Sequence, residues 1–291
     1  GRSGRQCACV RRRVARYHEG MSHTPFPYAP RNDIHLGLKD RVTLVTGGAQ
    51  GIGEACARRF AREGAPVVIA DIHDARGEKI AREIGGTFIH CDVGDSAQVH
   101  AMVDAVVAAH GRIDVLVNNA GIFRASNFLD ITEADFDAVL RVNLKGAFLV
   151  AQAVARVMAR ARRGSIVHMS SVNAVMAIPS IASYNLSKGG VNQLTRVMSL
   201  ALAEYGIRVN AVAPGTIATE LAAKAVLTSD EARNRILSRT PMLRLGEPAE
   251  VAEAVAWLAS DAASYITGEI VVIDGGRMAL NYTVPVPGST P

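Results

Sequence analysis

The chain is 291 residues long, 49% apolar and 20% charged, a length and composition that suit a folded core rather than a disordered or fibrous chain. Its formal net charge of +5 is local: the first twenty residues hold six arginines and one acid, and from Met21 onward 26 basic residues meet 26 acidic ones. A neutral body excludes the basic footprint of a nucleic-acid binder, no run approaches the roughly 18 uninterrupted apolar residues of a membrane span, and four cysteines without metal spacing indicate neither a zinc site nor a disulfide framework.

Residues 1–35 are rich in Arg, Pro, His and Gly, have no apolar period, and read as a disordered extension, with Met21 as a possible original start. An arginine-rich, acid-poor leader also fits a mitochondrial transit peptide; otherwise a cytoplasmic protein is expected. From residue 36 to 291 one domain is expected. Arg41–Thr46, Pro66–Ala70, Thr87–Cys91, Ile113–Val117, Ser165–Met169, Arg208–Val212 and Ile270–Ile273 are short β-branched runs that read as seven strands. Between them Gly53–Glu63, Ala97–His110, Glu133–Arg162, Tyr184–Tyr205 and Pro248–Ala259 read as helices. Near-continuous apolar strands alternating with helices mean an α/β fold, a doubly wound parallel seven-stranded sheet covered on both faces.

The first strand runs into Thr46-Gly47-Gly48-Ala49-Gln50-Gly51-Ile52-Gly53 and then a helix. Glycines at such a strand-to-helix turn let the backbone approach a pyrophosphate, whose charge the free N–H groups of the helix start favour. That makes Gly47, Gln50, Gly51, Ile52 and Gly53 candidate dinucleotide contacts. Asp71 ends the second strand near the expected offset for the acid that binds the adenosine ribose hydroxyls. A carboxylate there repels a 2′-phosphate, and neither Gln50 nor Ile72 supplies an arginine to neutralise one, so the expected cofactor is NAD. A turn-capping role is the alternative for Asp71. Asp92, with Val93 behind it, ends the third strand and fits either the adenine amino group or a second turn cap.

Several further motifs stand in order: Asn118-Asn119-Ala120-Gly121, Ser171, Tyr184-Asn185-Leu186-Ser187-Lys188 and Pro214-Gly215-Thr216-Ile217-Ala218-Thr219. Together with the glycine turn and the Asp274-Gly275-Gly276 run, they make the chain from about residue 36 to 277 resemble the short-chain dehydrogenase/reductase family. The resemblance implies a Rossmann-type fold, a nicotinamide-dependent oxidoreductase, a homotetramer, a cofactor wall at Asn119, Ala120 and Gly121, and Pro214, Gly215, Ile217 and Thr219 flanking the nicotinamide. Tyr184 and Lys188, four apart on one helix, share a face. A phenol needs its pKa lowered to exchange protons near neutrality, and a nearby ammonium together with an oxidised nicotinamide ring favours that. Ser171, thirteen residues before Tyr184 as in the family, is expected to hold the substrate oxygen; Ser170, one position away, points to the opposite face. Asn143 matches the family's asparagine, implied to hold a water that connects Lys188 to solvent; a buried amide satisfied by backbone is its plainer reading.

No metal is called for. His168 and His90, within strands, are expected to be packed, and His18, His23 and His35 fall in the extension. Arg156, Arg160, Arg162 and Arg163 form a basic helix end that suits the helix dipole. The stretch between Ser171 and Tyr184 is small and mostly apolar, with Asn173 as a polar handle and Met176, Ile178 and Pro179 at a pocket mouth. It suits a compact secondary alcohol or ketone, such as a polyol, sugar or cyclic alcohol. A 3-oxoacyl-[acyl-carrier-protein] reductase using NADPH is the competing assignment. A nucleotide-binding regulatory protein without turnover is the alternative from another class; Ser171, Tyr184, Lys188 and Asn143 all being present argues against it.

Overall fold

A computed structural model describes residues 35–220, 222, 229–284 and 286. The expected extension before residue 35, with His18 and His23, lies outside the described residues, as do residues 221 and 223–228 of the segment after Thr219.

Seven strands form one sheet: β1 (Thr43–Thr46), β2 (Val67–Asp71), β3 (Thr87–His90), β4 (Val115–Asn118), β5 (Gly164–Met169), β6 (Ile207–Pro214) and β7 (Ile270–Ile273). All pairings are parallel, in the order β3-β2-β1-β4-β5-β6-β7. Eight helices are described: α1 (Gly51–Arg62), α2 (Asp74–Ile84), α3 (Ser96–His110), α4 (Glu133–Leu140), α5 (Ala147–Ala161), α6 (Ala182–Leu202), α7 (Asp230–Leu237) and α8 (Pro248–Ala259). Side chains alternate across each strand, so the two sheet faces carry separate cores. Val45, Ile69, Val117 and Val167 pack with Phe60 of α1 and Leu258 of α8. Leu44, Val68, Leu116 and Ile166 pack with Met102 of α3 and Met158 of α5. Both faces being covered is why the strand runs are apolar without alternation, and the expected doubly wound sheet is present.

Two differences from the sequence reading have clear causes. The single helix expected over Glu133–Arg162 is interrupted by a wide π turn at Arg141–Gly146; such turns insert one extra residue into a helix and recur at functional sites. A side chain on Gly146 would meet Val93 at 2.8 Å, so the turn is seated against the loop after β3. His90 is not packed: β3 is an edge strand whose two ends are exposed, and His90 Nδ1 pairs with Asp74 at 2.6 Å in solvent. Helices α2 and α7 were not marked in the sequence because their buried stripes are narrow; only Gly77, Ile80 and Ala81 of α2 and Leu237 of α7 are buried.

The strand order reverses between β1 and β4, which places a crevice at their carboxyl ends, where open α/β sheets take ligands. Thr46 and Asn118 are paired there in register.

Candidate active site

The glycine turn is built for close backbone approach. Gly47 (φ +64°) and Gly51 (φ +57°) occupy the left-handed region. A Cβ on Gly53 would collide with the Gly47 carbonyl oxygen, and one on Gly47 would stand 2.8 Å from the Ala120 Cα. Helix α1 starts at Gly51 with no side-chain cap on its N-terminal N–H groups, which leaves donors for an anion. Thr46 Oγ1 accepts from the N–H groups of Asn119 (3.0 Å) and Ala120 (3.2 Å), and Asn119 Nδ2 donates to the carbonyls of Thr46 (3.1 Å) and Gly47 (3.0 Å). These bonds lock the Asn119-Ala120-Gly121 wall to the glycine turn. Across the crevice, Thr219 Cγ2 lies 3.4 Å from where a Gly51 side chain would begin. The segment that carries it leaves β6 at Pro214; Gly215 N donates to the Ile273 carbonyl (2.9 Å), and Ile217 is buried and bridged to Gly246. An uncapped helix start facing a glycine turn, a polar wall and an acid at the second strand end fit a dinucleotide.

Asp71 is buried and caps the turn after β2, as its alternative reading has it, while also bracing the glycine turn. Its Oδ2 accepts from Ala49 N (3.0 Å), within the glycine turn, and its Oδ1 accepts from His73 N (3.1 Å) as a turn cap. Asp92 makes a capping contact: Oδ1 accepts from Gly94 N (2.8 Å), and Oδ2 accepts from Arg141 Nη1 (2.9 Å). Val93 is buried beneath it. One residue escaped the sequence reading. Arg76, in the first turn of α2, donates from Nη1 to Gln50 Oε1 (2.9 Å) and to Glu220 Oε2 (3.2 Å), so an arginine does stand beside the glycine turn. Its position two residues into a helix that follows Asp71 was the available signal, hidden because α2 itself was not marked.

The catalytic candidates converge at the end of β5. Ser171 follows the strand; its hydroxyl bonds the Tyr184 hydroxyl, and its Oγ also accepts from Asn173 N (3.1 Å). Ser170 points the other way and donates to Asn192 Oδ1 (2.6 Å), as the strand alternation requires. The Tyr184 ring is held edge-on by Phe123, with centroids 5.4 Å apart, and the Lys188 ammonium sits 5.6 Å from the ring centroid. Lys188 is buried and donates to the Met169 carbonyl (2.7 Å). Asn143, at the π turn, is a satisfied buried amide: Oδ1 accepts from Ile122 N (2.7 Å), while Nδ2 donates to the Ile122 carbonyl (2.9 Å) and Ser187 Oγ (3.1 Å). Asn143 Oδ1 (3.3 Å) and Lys188 Nζ (3.7 Å) both border the space beside Gly121.

Among the protein's own groups, desolvation raises the Tyr184 pKa and the Ser171 hydrogen bond opposes it. Burial pushes Lys188 down to about 8. His168 is fully buried and accepts from Asn118 Nδ2 at its Nδ1 (3.3 Å), which places its proton on Nε2. Burial, and then the Lys188 charge, push it down to about 4, so it stays neutral and packed as expected.

The lysine shift has a stability consequence. The unfolded side chain titrates at its ordinary 10.5 and the folded one at about 8. Between those values the unfolded chain holds a proton that the native chain has released, so this group's contribution to stability rises with pH across that window and is flat below it. The urea midpoint of the wild type relative to Lys188→Met is accordingly expected to rise between about pH 7 and about pH 9.5; a flat difference would show that the ammonium is not buried.

A protein-family model described as enoyl-(acyl carrier protein) reductase matches residues 47–278. The chain is 44% identical over 246 residues to the 3-oxoacyl-[acyl-carrier-protein] reductase FabG of Thermotoga maritima, covering 83% of this chain and 99% of that one. It is 40% identical over 250 residues to the D-threitol dehydrogenase of Mycolicibacterium smegmatis, covering 84% and 95%. The solved structure of a gluconate 5-dehydrogenase from Burkholderia cenocepacia, in complex with NADP and tartrate, superposes with a TM-score of 0.81 at 37% identity, covering 84% and 98%. With that coverage and identity, the chain belongs to the short-chain dehydrogenase/reductase family.

Proposed function

We propose that the protein interconverts a secondary alcohol and a ketone, with NAD(H) as the hydride carrier and Tyr184 as the general acid/base. The observation that carries this reading is the Tyr184 hydroxyl bonded to Ser171 while the buried Lys188 ammonium lies beside the same ring. In oxidation Tyr184 Oη takes the hydroxyl proton of the substrate; in reduction it returns it. Ser171 Oγ orients the substrate oxygen and supports the negative charge that develops on it. Lys188 favours the phenolate through its charge, opposing the desolvation that raises the phenol. Asn143 holds the Gly121–Ile122 backbone against α6 and so fixes the wall opposite the phenol. The nicotinamide, when bound, supplies hydride acceptance and donation. Gly47, Gln50, Gly51, Ile52 and Gly53 take the pyrophosphate, Asp71 the adenosine ribose, Asn119, Ala120 and Gly121 the cofactor wall, and Pro214, Gly215, Ile217 and Thr219 the nicotinamide end.

The substrate class we favour is a small polyol, sugar or cyclic alcohol, in keeping with the apolar stretch around Met176 and Ile178 and with the D-threitol dehydrogenase relative. Reduction of a 3-oxoacyl thioester is the second reading, favoured by the 44% identity to FabG. The protein is expected to assemble with copies of itself, as a homotetramer. An apolar groove of about 900 Å³ along α4, α5 and α6, lined by Ala138, Leu144, Phe148, Leu194 and Val197, offers the face for it. A panel of polyols, cyclic alcohols and 3-oxoacyl thioesters, run with both nicotinamide cofactors and followed by reduced-nicotinamide absorbance, tests the proposal. Turnover of polyols or cyclic alcohols with NAD is expected; preferential turnover of the thioester with NADPH would replace it with the second reading.

A further inference from the structure

At the carboxyl end of β7 two turns, each flanked by an arginine, pack together. Met242 N donates to the Gly275 carbonyl (3.1 Å), and Val284 N donates to the Ser238 carbonyl (2.7 Å). Side chains on Gly275 or Gly276 would press on Thr240 (2.9 Å) or Pro241 (3.0 Å). Arg239 leads the first turn and Arg277 follows the second. Arg277 is half-buried, and neither guanidinium has a hydrogen-bond or ion-pair partner among the described residues; Arg277 Nε is buried with none. Desolvation, and then the Arg239 charge, disfavour the charged form of Arg277, and the Asp274 charge offsets them only in part; a guanidinium nonetheless stays protonated in proteins. Asp274, the nearby acid, already accepts from Gly276 N (2.8 Å) at Oδ1 and from Met278 N (2.6 Å) at Oδ2. A buried donor without an acceptor, next to a second like charge, is an arrangement that an anion completes.

We propose that Arg239 and Arg277 form an oxyanion site that takes a carboxylate or phosphate group. The site adjoins the segment after β6, because the Asp274 Cα lies 2.9 Å from where a Gly215 side chain would begin. The group it holds therefore has two sources, the acid end of a substrate or a separate small anion. Planar guanidinium forks suit both, since each offers paired N–H donors to two oxygens.

Inorganic phosphate is the probe. Calorimetric titration into the full chain at constant ionic strength is expected to show a binding event that weakens by about tenfold or more in Arg277→Gln and in Arg239→Gln, as loss of a charge-assisted pair implies. Phosphate bound at the glycine turn contributes equally to all three proteins, so the difference isolates this site. Arg239 is exposed, so its replacement leaves the packing intact even where that of Arg277 does not. Identical isotherms in the wild type and Arg239→Gln overturn the proposal, as does the absence of any phosphate binding in the wild type. The readout needs no turnover, so its failure is distinct from failure of the proposed reaction. Comparing a hydroxy acid with its uncharged alcohol then separates the sources. A fall in kcat/KM for the acid alone in Arg277→Gln assigns the anion to the substrate; equal kcat/KM with phosphate binding lost assigns it to a separate ligand.

Discussion

Tyr184→Phe is expected to lower kcat in both directions by about 10²–10⁴-fold, the range that a positioned general acid/base contributes, while NADH binding and folding stay near wild type. The variant removes one oxygen and keeps the ring. Phe123 still packs edge-on against it at 5.4 Å, and helix α6 keeps its register because Ser187 Oγ donates to the residue-184 backbone carbonyl (2.7 Å), not to the side chain. The loss therefore falls on proton transfer. Ser171 keeps its bond from Asn173 N and can still orient an oxygen, so residual turnover comes from positioning and the cofactor rather than from a substitute base. His168 offers no replacement, being fully buried and held neutral. Steady-state rates by nicotinamide absorbance, with NADH affinity by fluorescence titration, check the expectation. Undiminished kcat would remove Tyr184 from the acid/base role; an equal loss of NADH affinity would mean that the phenol had been holding the cofactor instead.

Much of this arrangement was legible because the informative signals are short-range. Seven short β-branched runs report strands, the five central ones buried on both faces, and the glycine turn reports a local backbone geometry that few other residues reach. Tyr184 and Lys188 are four apart in a helix, so their proximity follows from helical geometry alone. What escaped depends on contacts between distant segments. Arg76 meets Gln50 and Glu220 across 26 and 144 residues, and no local pattern encodes that meeting. His90 was expected to be buried because its strand looked like the others; only the strand order shows β3 to be an edge. The π turn escaped for a different reason: the apolar spacing of Glu133–Arg162 is close to helical on both sides of it, and one inserted residue is too small a phase change to see. Yet that turn is what carries Asn143 to the Ile122 backbone, where the contacts are those of its plainer reading, a buried amide satisfied by backbone.

Cofactor choice is where the long-range contacts alter the reasoning. Asp71 alone argues for NAD, because a 2′-phosphate would approach a buried carboxylate whose two oxygens are fixed by Ala49 N and His73 N. Two unit charges about 4 Å apart at an effective dielectric near 20 repel by about 4 kcal/mol, and solvent returns part of that. Arg76 works in the opposite sense, but its guanidinium is divided between Gln50 and the Glu220 carboxylate, an exposed pair that offsets part of its charge. On the proposed NAD reading, both acids would then disfavour a 2′-phosphate, one directly and one by occupying the arginine. Asp71→Asn keeps one acceptor, for the Ala49 N–H, and loses with the charge the acceptor for the His73 N–H; the preference for NADH over NADPH is expected to fall by about 10²-fold, equivalent to about 2.7 kcal/mol. Glu220→Gln is expected to shift it by a smaller factor of about 2–5, as befits an exposed pair, and the double variant by more than either. Ratios of kcat/KM for the two cofactors measure all three. An unchanged ratio in Asp71→Asn would mean that the carboxylate serves only to brace the glycine turn, and that Arg76 rather than Asp71 decides which dinucleotide is taken.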